Sequence, residues 1–501
     1  MDFLDPKKRR AYHIRLIVGY VLVAIVILLG TVIIVYGANG YGINTKTGQI
    51  VQNGLLFADS KPGGAEIYLN GNDQHASTSA RLVLPSGNYK LDLKKTGYHD
   101  WSRSFTLNEQ SIARYVYPFL FPVKPRIANL KNYANQPGLI TQSPDRKWLL
   151  VENNAESTKT LVFDQYDTTT LDDPSPVVTP ISLPADLLTG YGAGSNFIET
   201  EWSTDNIHLL LQHNYSGGSE FIILDRAHPD QSLNVNKLFG VSPSLVNLRD
   251  KKIDQLYIFN AADGSLQLGN TGDRGLAPAF LKNVLAYKSY GKDLVTYITA
   301  NGEPAGKVVA KVWNNGKVYK LNEFSAGTHY LIDFAQFQGH FYYADGSDTS
   351  DRINIYKDPL DGLRDPATAK ALPVIALHDP GATKLKFSEN TRFIGVENSQ
   401  NFAVYDLETQ TSYQYPLTDA LSGDMHWMDG HRFIGQSGGS VFVMDYDGIN
   451  KRAITPTLLN DGGFFSREYN HLLTVASGSD GSFVLQDVDM RAGTDLPKNK
   501  Q

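Results

Sequence analysis

Gly435-Gln436-Ser437-Gly438-Gly439 has the Gly-x-Ser-x-Gly spacing of a serine nucleophile. That chemistry needs a strand–turn–helix elbow that lifts the hydroxyl above a sheet. Here Phe433-Ile434 precedes the string and Val441-Phe442-Val443 follows it, so it reads as a hairpin turn. His208 and His213 are five apart on a predicted strand and point to opposite faces, which rules out a shared metal. His426 and His431 have the same spacing with a turn between them, and all four histidines read as exposed or satisfied. Asp345, Asp348 and Asp351 fall in a Gly/Ser/Thr-rich segment and offer the oxygen ligands calcium takes. Asp445-Tyr446-Asp447-Gly448 offers the same. Neither run ends in a bidentate glutamate, so both read as solvated or Asx-turn aspartates. Gly190-Tyr191-Gly192-Ala193-Gly194 lacks the helix that must follow a phosphate-binding loop. Trp148, Trp202 and Trp427 read as packing between repeated units. The expectation is therefore no catalytic residue, no cofactor and no metal.

The elements that carry these residues begin with a membrane segment. Leu16 to Tyr36 is a run of 21 residues without a charge. As a helix it spans about 31 Å, roughly the hydrocarbon thickness of a bilayer. Lys7, Lys8, Arg9, Arg10 and Arg15 precede it and predict a cytoplasmic N-terminus, with everything after Tyr36 outside. The segment reads as a signal-anchor. A cleaved secretory signal is the alternative, with Val35 and Gly37 as a weak cleavage pair, but its apolar core would normally be shorter.

Composition narrows the function. The formal charge is −6 and no basic block lies beyond the N-terminal tail, which argues against nucleic acid. The absence of cysteine removes disulfides, thiolate-held zinc, iron–sulfur clusters and thiol catalysis. Tyr, Phe and Gly are plentiful, and short alternating runs recur between Asn, Asp, Gly and Ser turns, an all-β signature.

Residues 51–122 form the first soluble unit. Ala65-Glu66-Ile67-Tyr68-Leu69 alternates and turns at Asn70-Gly71. Tyr89, Leu91 and Leu93 share one face of the next strand, and Trp101, Phe105 and Leu107 share one face of the last. The unit resembles the PEGA domain through Ser60-Lys61-Pro62-Gly63-Gly64-Ala65 with Gly71, then Leu84-Pro85-Ser86-Gly87, then Lys94-Lys95-Thr96-Gly97-Tyr98. Gly63 stands where the family has an acid, and Ser79 where it usually has proline. The resemblance implies a small extracytoplasmic β-sandwich, a binding or spacer module.

From about Ile127 an aromatic–Ser–turn–strand pattern repeats. Trp202-Ser203-Thr204-Asp205, Phe387-Ser388-Glu389-Asn390 and Phe465-Ser466-Arg467-Glu468 are copies. Ser143-Pro144-Asp145 lacks the aromatic, and Trp427-Met428-Asp429 replaces the serine. The last three copies recur about every 40 residues, the period of a propeller blade. The region resembles TolB-like, WD40-like propellers, most clearly where Asp445-Tyr446-Asp447-Gly448 leads into a short outer strand and at Trp202 to Asp205. Seven or eight blades are expected. The last one lacks an outer strand that residues near Ile127–Leu130 would supply.

The chain is thus expected to be mainly β. The expected order is a basic cytoplasmic tail (1–15), a transmembrane helix (16–36), a linker (37–50), a PEGA-like sandwich (51–122), a propeller (123–495) and a disordered tail (496–501). The expected work is binding or scaffolding in the cell envelope, the propeller recruiting a protein or glycan, with a small-molecule substrate disfavoured. The rival is a propeller hydrolase acting on envelope glycans, which requires paired carboxylates facing one cavity. A sensor is disfavoured because the cytoplasmic tail is too short for a signalling domain.

Overall fold

A computed structural model describes residues 6–38, 40–43, 48, 50–154, 160–192, 194–363, 371–398, 400–416 and 426–497. The chain separates into two compact units, one of residues 1–124 with 491–501 and one of residues 125–490.

The first unit opens with the helix Pro6–Ala38. Its stretch Arg9–Gly37 is long and apolar enough to cross a membrane and buries nothing against the protein. The helix starts earlier than the apolar run because nothing in the basic segment interrupts it, so Lys7, Lys8, Arg9, Arg10 and Arg15 all lie on it. The 37–50 segment, read as a linker, contains a strand. Tyr41–Ile43 pairs antiparallel with residues 50–52, satisfying a backbone edge that would otherwise be open.

The sandwich follows as two four-stranded sheets. In one, Ile50–Ala58 lies between Ala80–Pro85 and the parallel Ile112–Tyr115. In the other, Glu66–Leu69, Asn72–Ser77, Gly87–Lys94 and Trp101–Leu107 pair antiparallel. Between them sit Leu56, Ile67, Leu91, Leu93, Tyr98 and Trp101. This is the alternation that the strand period predicts. Gly97 has φ +89°, and a Cβ there would stand 3.1 Å from that of Ala492. That neighbour belongs to the end of the chain. The Lys95 ammonium lies 2.9 Å from Asp495, and the Tyr98 hydroxyl donates to the same carboxylate at 2.8 Å. Residues 491–495, expected to end the propeller, thus pack on the sandwich. Leu496 and Pro497 continue as described chain, while 498–501 lie outside the described residues.

The second unit is a propeller with eight four-stranded sheets among the described residues. In chain order the blades occupy 140–182, 196–234, 245–276, 286–325, 330–378, 384–416, 426–456 and 464–489. The eighth receives its outermost strand from the beginning of the unit. Arg126–Tyr133 pairs antiparallel with Phe483–Asp489, from Phe483 against Tyr133 to Asp489 against Arg126. Pairing the first strand with the last removes the open edge that a row of blades would leave.

The recurring serine has a physical reason. Ser143, Ser203, Ser388 and Ser466 each donate their N–H to the carbonyl five residues on, at 2.8–2.9 Å. The residue three after each serine, Arg146, Asn206, Thr391 or Tyr469, is left-handed, with φ between 56° and 60°. The hydroxyls of Ser143, Ser388 and Ser466 accept the N–H of Trp148, Phe393 and His471. A side-chain acceptor thus satisfies a backbone donor inside a tight reversal. In the seventh blade Met428 has no such hydroxyl, and its N–H bonds the Arg432 carbonyl in a turn one residue shorter.

Candidate functional site

The innermost strand of each blade lines the channel, and the turn after it faces one end. Four such turns meet at Arg146. Its Nη2 donates to Glu389 Oε1 at 2.6 Å in the sixth blade and to the Met428 carbonyl at 2.7 Å in the seventh. Its guanidinium sits 4.5 Å from the Tyr469 ring centroid in the eighth. Its Nη1 is buried without a hydrogen-bond partner. The turn supplies this reach, since a left-handed residue at that position points away from its own strand.

Above this floor is a cavity of about 740 Å³. Lys386, Glu199, Glu389, His426 and Asp461 are among its lining side chains. Glu199 accepts from the Thr141 hydroxyl at 2.6 Å, and Thr141 accepts from the Trp202 indole at 2.7 Å. Glu199 opens onto the cavity but is walled by protein, and this desolvation raises its carboxyl above the ordinary range. Desolvation raises Glu389 too, outweighing the pull of Arg146. Asp461 goes the other way: His426 Nε2, 2.9 Å away, lowers it. The Lys386 ammonium has no hydrogen-bond or ion-pair partner among the described residues. The site therefore presents one free ammonium, one buried guanidinium N–H and carboxylates of differing basicity within one cavity.

None of these residues was assigned to the channel from sequence; His426 was weighed only with His431 as a metal pair. The signal was present in Lys384-Leu385-Lys386, where charge alternates on an otherwise apolar blade strand.

A second cluster lies in the second blade. His213 Nε2 is 3.0 Å from Ser195 Oγ, and His213 Nδ1 is 2.9 Å from Glu220 Oε1. The Thr189 N–H and Asn234 Nδ2 donate to the same carboxylate at 2.7 and 2.6 Å, and with the bond from His213 they hold it down to about 2 against desolvation. The order resembles a nucleophile, a base and an orienting acid, but the described residues do not complete such a site. His213 is fully buried and stacked on Phe197 at 4.6 Å, and the Ser195 N–H is spent on the Gly192 carbonyl. Other blades have polar ties at the same place. Asn398 bonds Asp379 and the Pro380 carbonyl, and Thr474 bonds Thr457 and the Gly462 carbonyl. Each fastens the loop entering its blade. His213 is such a tie, and weighing it only against His208 concealed this.

The remaining sequence candidates fall into place individually. Ser437 ends the strand Arg432–Ser437 opposite Ser440, with Gly438 and Gly439 turning at φ 56° and 74°. This is a two-residue hairpin with no helix after it. His208 faces Asp205 at 2.7 Å, and His431 is pushed by burial down to about 4. Asp345 corrects the expectation of a solvated loop. The strand His340–Ser347 runs through it, it is buried, and burial raises it to about 7. Asp348 is in a turn, accepting the Thr328 N–H at 2.9 Å, and Asp351 is exposed. Among the described residues no three His, Asp or Glu side chains are grouped to hold a metal. In the Asp445-Tyr446-Asp447-Gly448 turn the Gly448 N–H bonds the Asp445 carbonyl, and a Cβ on Gly448 would meet the Tyr415 ring at 2.9 Å. Gly190 and Gly192 belong to the loop that carries Ser195, and Ala193 lies outside the described residues.

Two tryptophans tie neighbouring blades: Trp202 reaches Thr141 of the first, and Trp427 donates its indole N–H to the Lys386 carbonyl of the sixth at 3.2 Å. Trp148 of the first blade makes a third such contact, half-buried with the Arg226 guanidinium of the second blade 4.2 Å from its ring centroid. In the sandwich, Gly64 and Gly71 take φ +78° and +80° at turns, Ala65 is in the core, and Pro62 and Ser79 follow cis peptide bonds. Gly63 and Gly87 keep ordinary φ.

Residues 53–116 match the PEGA domain model. No curated protein matches the chain in sequence. Among solved structures, the chain is similar to the C-terminal WD40 domain of Sif2, at 10% identity over 73% of this chain and 99% of that one, with a TM-score of 0.44. The Dos1 propeller gives 13% identity over 74% and 96%, with a TM-score of 0.41. An oligogalacturonate lyase in complex with manganese gives 10% over 74% and 98%, with a TM-score of 0.38.

Proposed function

We propose that the protein is a membrane-anchored binding protein of the cell envelope. The helix spans once, the basic residues from Lys7 to Arg15 keep the N-terminus in the cytoplasm, and the PEGA sandwich and propeller stand outside. The propeller channel receives a segment of an envelope protein or a glycan. The observation that carries this is the cavity above Arg146. It is walled by rigid blade strands and offers unspent donors and acceptors, the arrangement that positions a polar ligand.

The test uses the absence of cysteine. Ile198 lines the cavity and is exposed. A single cysteine there, carrying a photo-crosslinker, should capture a discrete envelope component in cells, and Lys386→Glu should abolish the product. Equal capture from a cysteine on the outer strand at Thr411 would remove the channel from the account.

A hydrolase acting on envelope glycans is the second reading. Glu199, with its raised carboxyl, shares the cavity with Glu389 and Asp461, so an acid and a base face one space. Release of soluble wall fragments by the full chain, lost in Glu199→Gln, would put this reading first.

A further inference from the structure

One face of the PEGA sandwich is uncovered. Leu56 and Ala58 of the strand Ile50–Ala58 point into the core, so Asn53, Leu55 and Phe57 point out. Across the sheet Leu55 pairs with Val83 on one side and Ile112 on the other, and Phe57 pairs with Arg81 and Arg114. The outward face therefore carries an apolar row, Val83–Leu55–Ile112, beside a row in which two arginines flank an aromatic ring. Val83 is 60% exposed and Ile112 56%, so no described element covers them. The guanidinium carbons of Arg81 and Arg114 lie 5.9 and 5.2 Å from the Phe57 centroid.

The membrane helix ends at this face. It stops at Ala38, and the Tyr41–Ile43 strand begins almost at once. Three residues of extended chain reach about 10 Å at most. The Gly40 carbonyl accepts the Asn53 N–H at 2.8 Å, and the Leu55 N–H donates to the Ser111 carbonyl next to Ile112 at 2.9 Å. The helix exit and the apolar row thus meet at one corner of the sheet, with Asn53 and Leu55 about 7 Å apart along the strand. The rings of Tyr36 and Tyr41 meet at a tilt, 5.0 Å apart, across the exit, where tyrosine favours the bilayer boundary.

We propose that this face docks on the bilayer the helix spans, with Arg81 and Arg114 binding anionic lipid headgroups and Val83, Leu55 and Ile112 resting in the interface. The short tether holds the face within reach of the headgroups. Arginine pairs with phosphate through its fork of donors, while the apolar row gains by leaving water. Asp59, the acid of the next row, is occupied by the Ser79 hydroxyl at 2.6 Å and the Ser60 N–H at 2.8 Å. Docking rests on the proposal that the helix spans the membrane.

The full chain carrying Val83→Cys as its one cysteine, labelled with an environment-sensitive fluorophore, is placed in nanodiscs of phosphatidylcholine alone or of phosphatidylcholine with phosphatidylglycerol. Emission at position 83 should shift to the blue, and dithionite quenching should slow several-fold, only in the discs containing phosphatidylglycerol. Arg81→Glu with Arg114→Glu should abolish both effects while the chain stays in the disc. A label at Ser104→Cys, on the other sheet, should not respond. Incorporation without a lipid-dependent change at 83 overturns the docking and leaves the anchor standing. A shift equal in both discs that grows with protein concentration means a second copy covers the face, and overturns it as well. Failure of the unmutated chain to enter discs overturns the anchor, and the docking with it.

Discussion

Arg146 and Glu389 are 243 residues apart in the chain and 2.6 Å apart in the fold. The contact joins the first blade to the sixth, so it exists only in a closed ring. With the bond to the Met428 carbonyl it makes one side chain a fastener between blades that share no strand.

Arg146→Ala should therefore destabilise the propeller by about 1–3 kcal/mol, the range for a charged hydrogen bond whose buried partner is left alone. Glu389→Gln should cost less, because Glu389 remains half in water and an exposed ion pair contributes little. Chemical denaturation of the two variants checks the order. An equal or larger loss in the glutamine variant would mean the ion pair, and not the carbonyl bond, holds the turn.

Ring closure predicts a sharper effect. In an antiparallel pair only alternate N–H groups face the partner, so one of Ile127→Pro and Ala128→Pro must break a bond to the strand Phe483–Asp489. The more damaging of the two should cost about 3 kcal/mol or more. Hydrogen exchange should then rise in the eighth blade, in strands far from the substitution in sequence. Unchanged exchange in both variants would contradict closure.

Neither serine should behave as a nucleophile. A fluorophosphonate probe should label neither Ser437 nor Ser195 in the native chain, since the first ends a hairpin and the second faces a buried histidine without a free oxyanion donor. Ser437→Ala should change stability by no more than about 0.5 kcal/mol. Gly448→Ala should do much more, about 1–3 kcal/mol, because φ +80° and the Tyr415 ring both oppose a side chain. Labelling that disappears in Ser195→Ala would restore catalysis to the second blade.

Stability should fall between pH 6.5 and 8. Burial holds Asp345, Asp379 and Glu152 protonated up to about 7, with Glu397 adding its charge at Asp379. Unfolded, these carboxyls ionise near pH 4, so their contribution is complete below that and is lost as pH rises through about 7. His431 opposes them lower down: unfolded it protonates near 6.5 and folded only at about 4, so acidification in that window costs stability. Above pH 6.5 the opposition from His431 fades. Calorimetry should show a melting temperature that drops from pH 6.5 to 8, and Asp345→Asn should flatten the drop.

The blade pattern was legible because it rests on local chemistry. Ser143, Ser388 and Ser466 each close a turn with their own hydroxyl, and neighbouring apolar runs mark strands by alternation. The first strand's role in the eighth blade was legible for a similar reason, since Phe483–Asp489 is an apolar strand that no other strand follows among the described residues. What escaped was anything set by ring geometry. Arg146 looks like an ordinary turn residue beside Asn206 and Thr391, and only closure brings Glu389 and Tyr469 to it. Glu199 and Lys386 sit on strands whose other residues face neighbouring blades, so their charges look incidental until the channel gives them a common space. Asp345 misled because Gly346-Ser347-Asp348 after it has loop composition, although the strand continues to Ser347.

The strand Arg126–Tyr133 also sets an order of events. It leaves the ribosome before the strands of the first seven blades, and its partner Phe483–Asp489 follows only after all of them. Until then it has no ladder to join, and each completed blade waits with one flank exposed. Loop-closure entropy over so long an interval rises only slowly with length. The burden is therefore kinetic: a long period in which sticky edges must be kept from other chains. A chain cut short anywhere before Phe483 loses the one strand that can complete the eighth blade, and should be recognised by quality control as unfinished, however many of its earlier blades have formed.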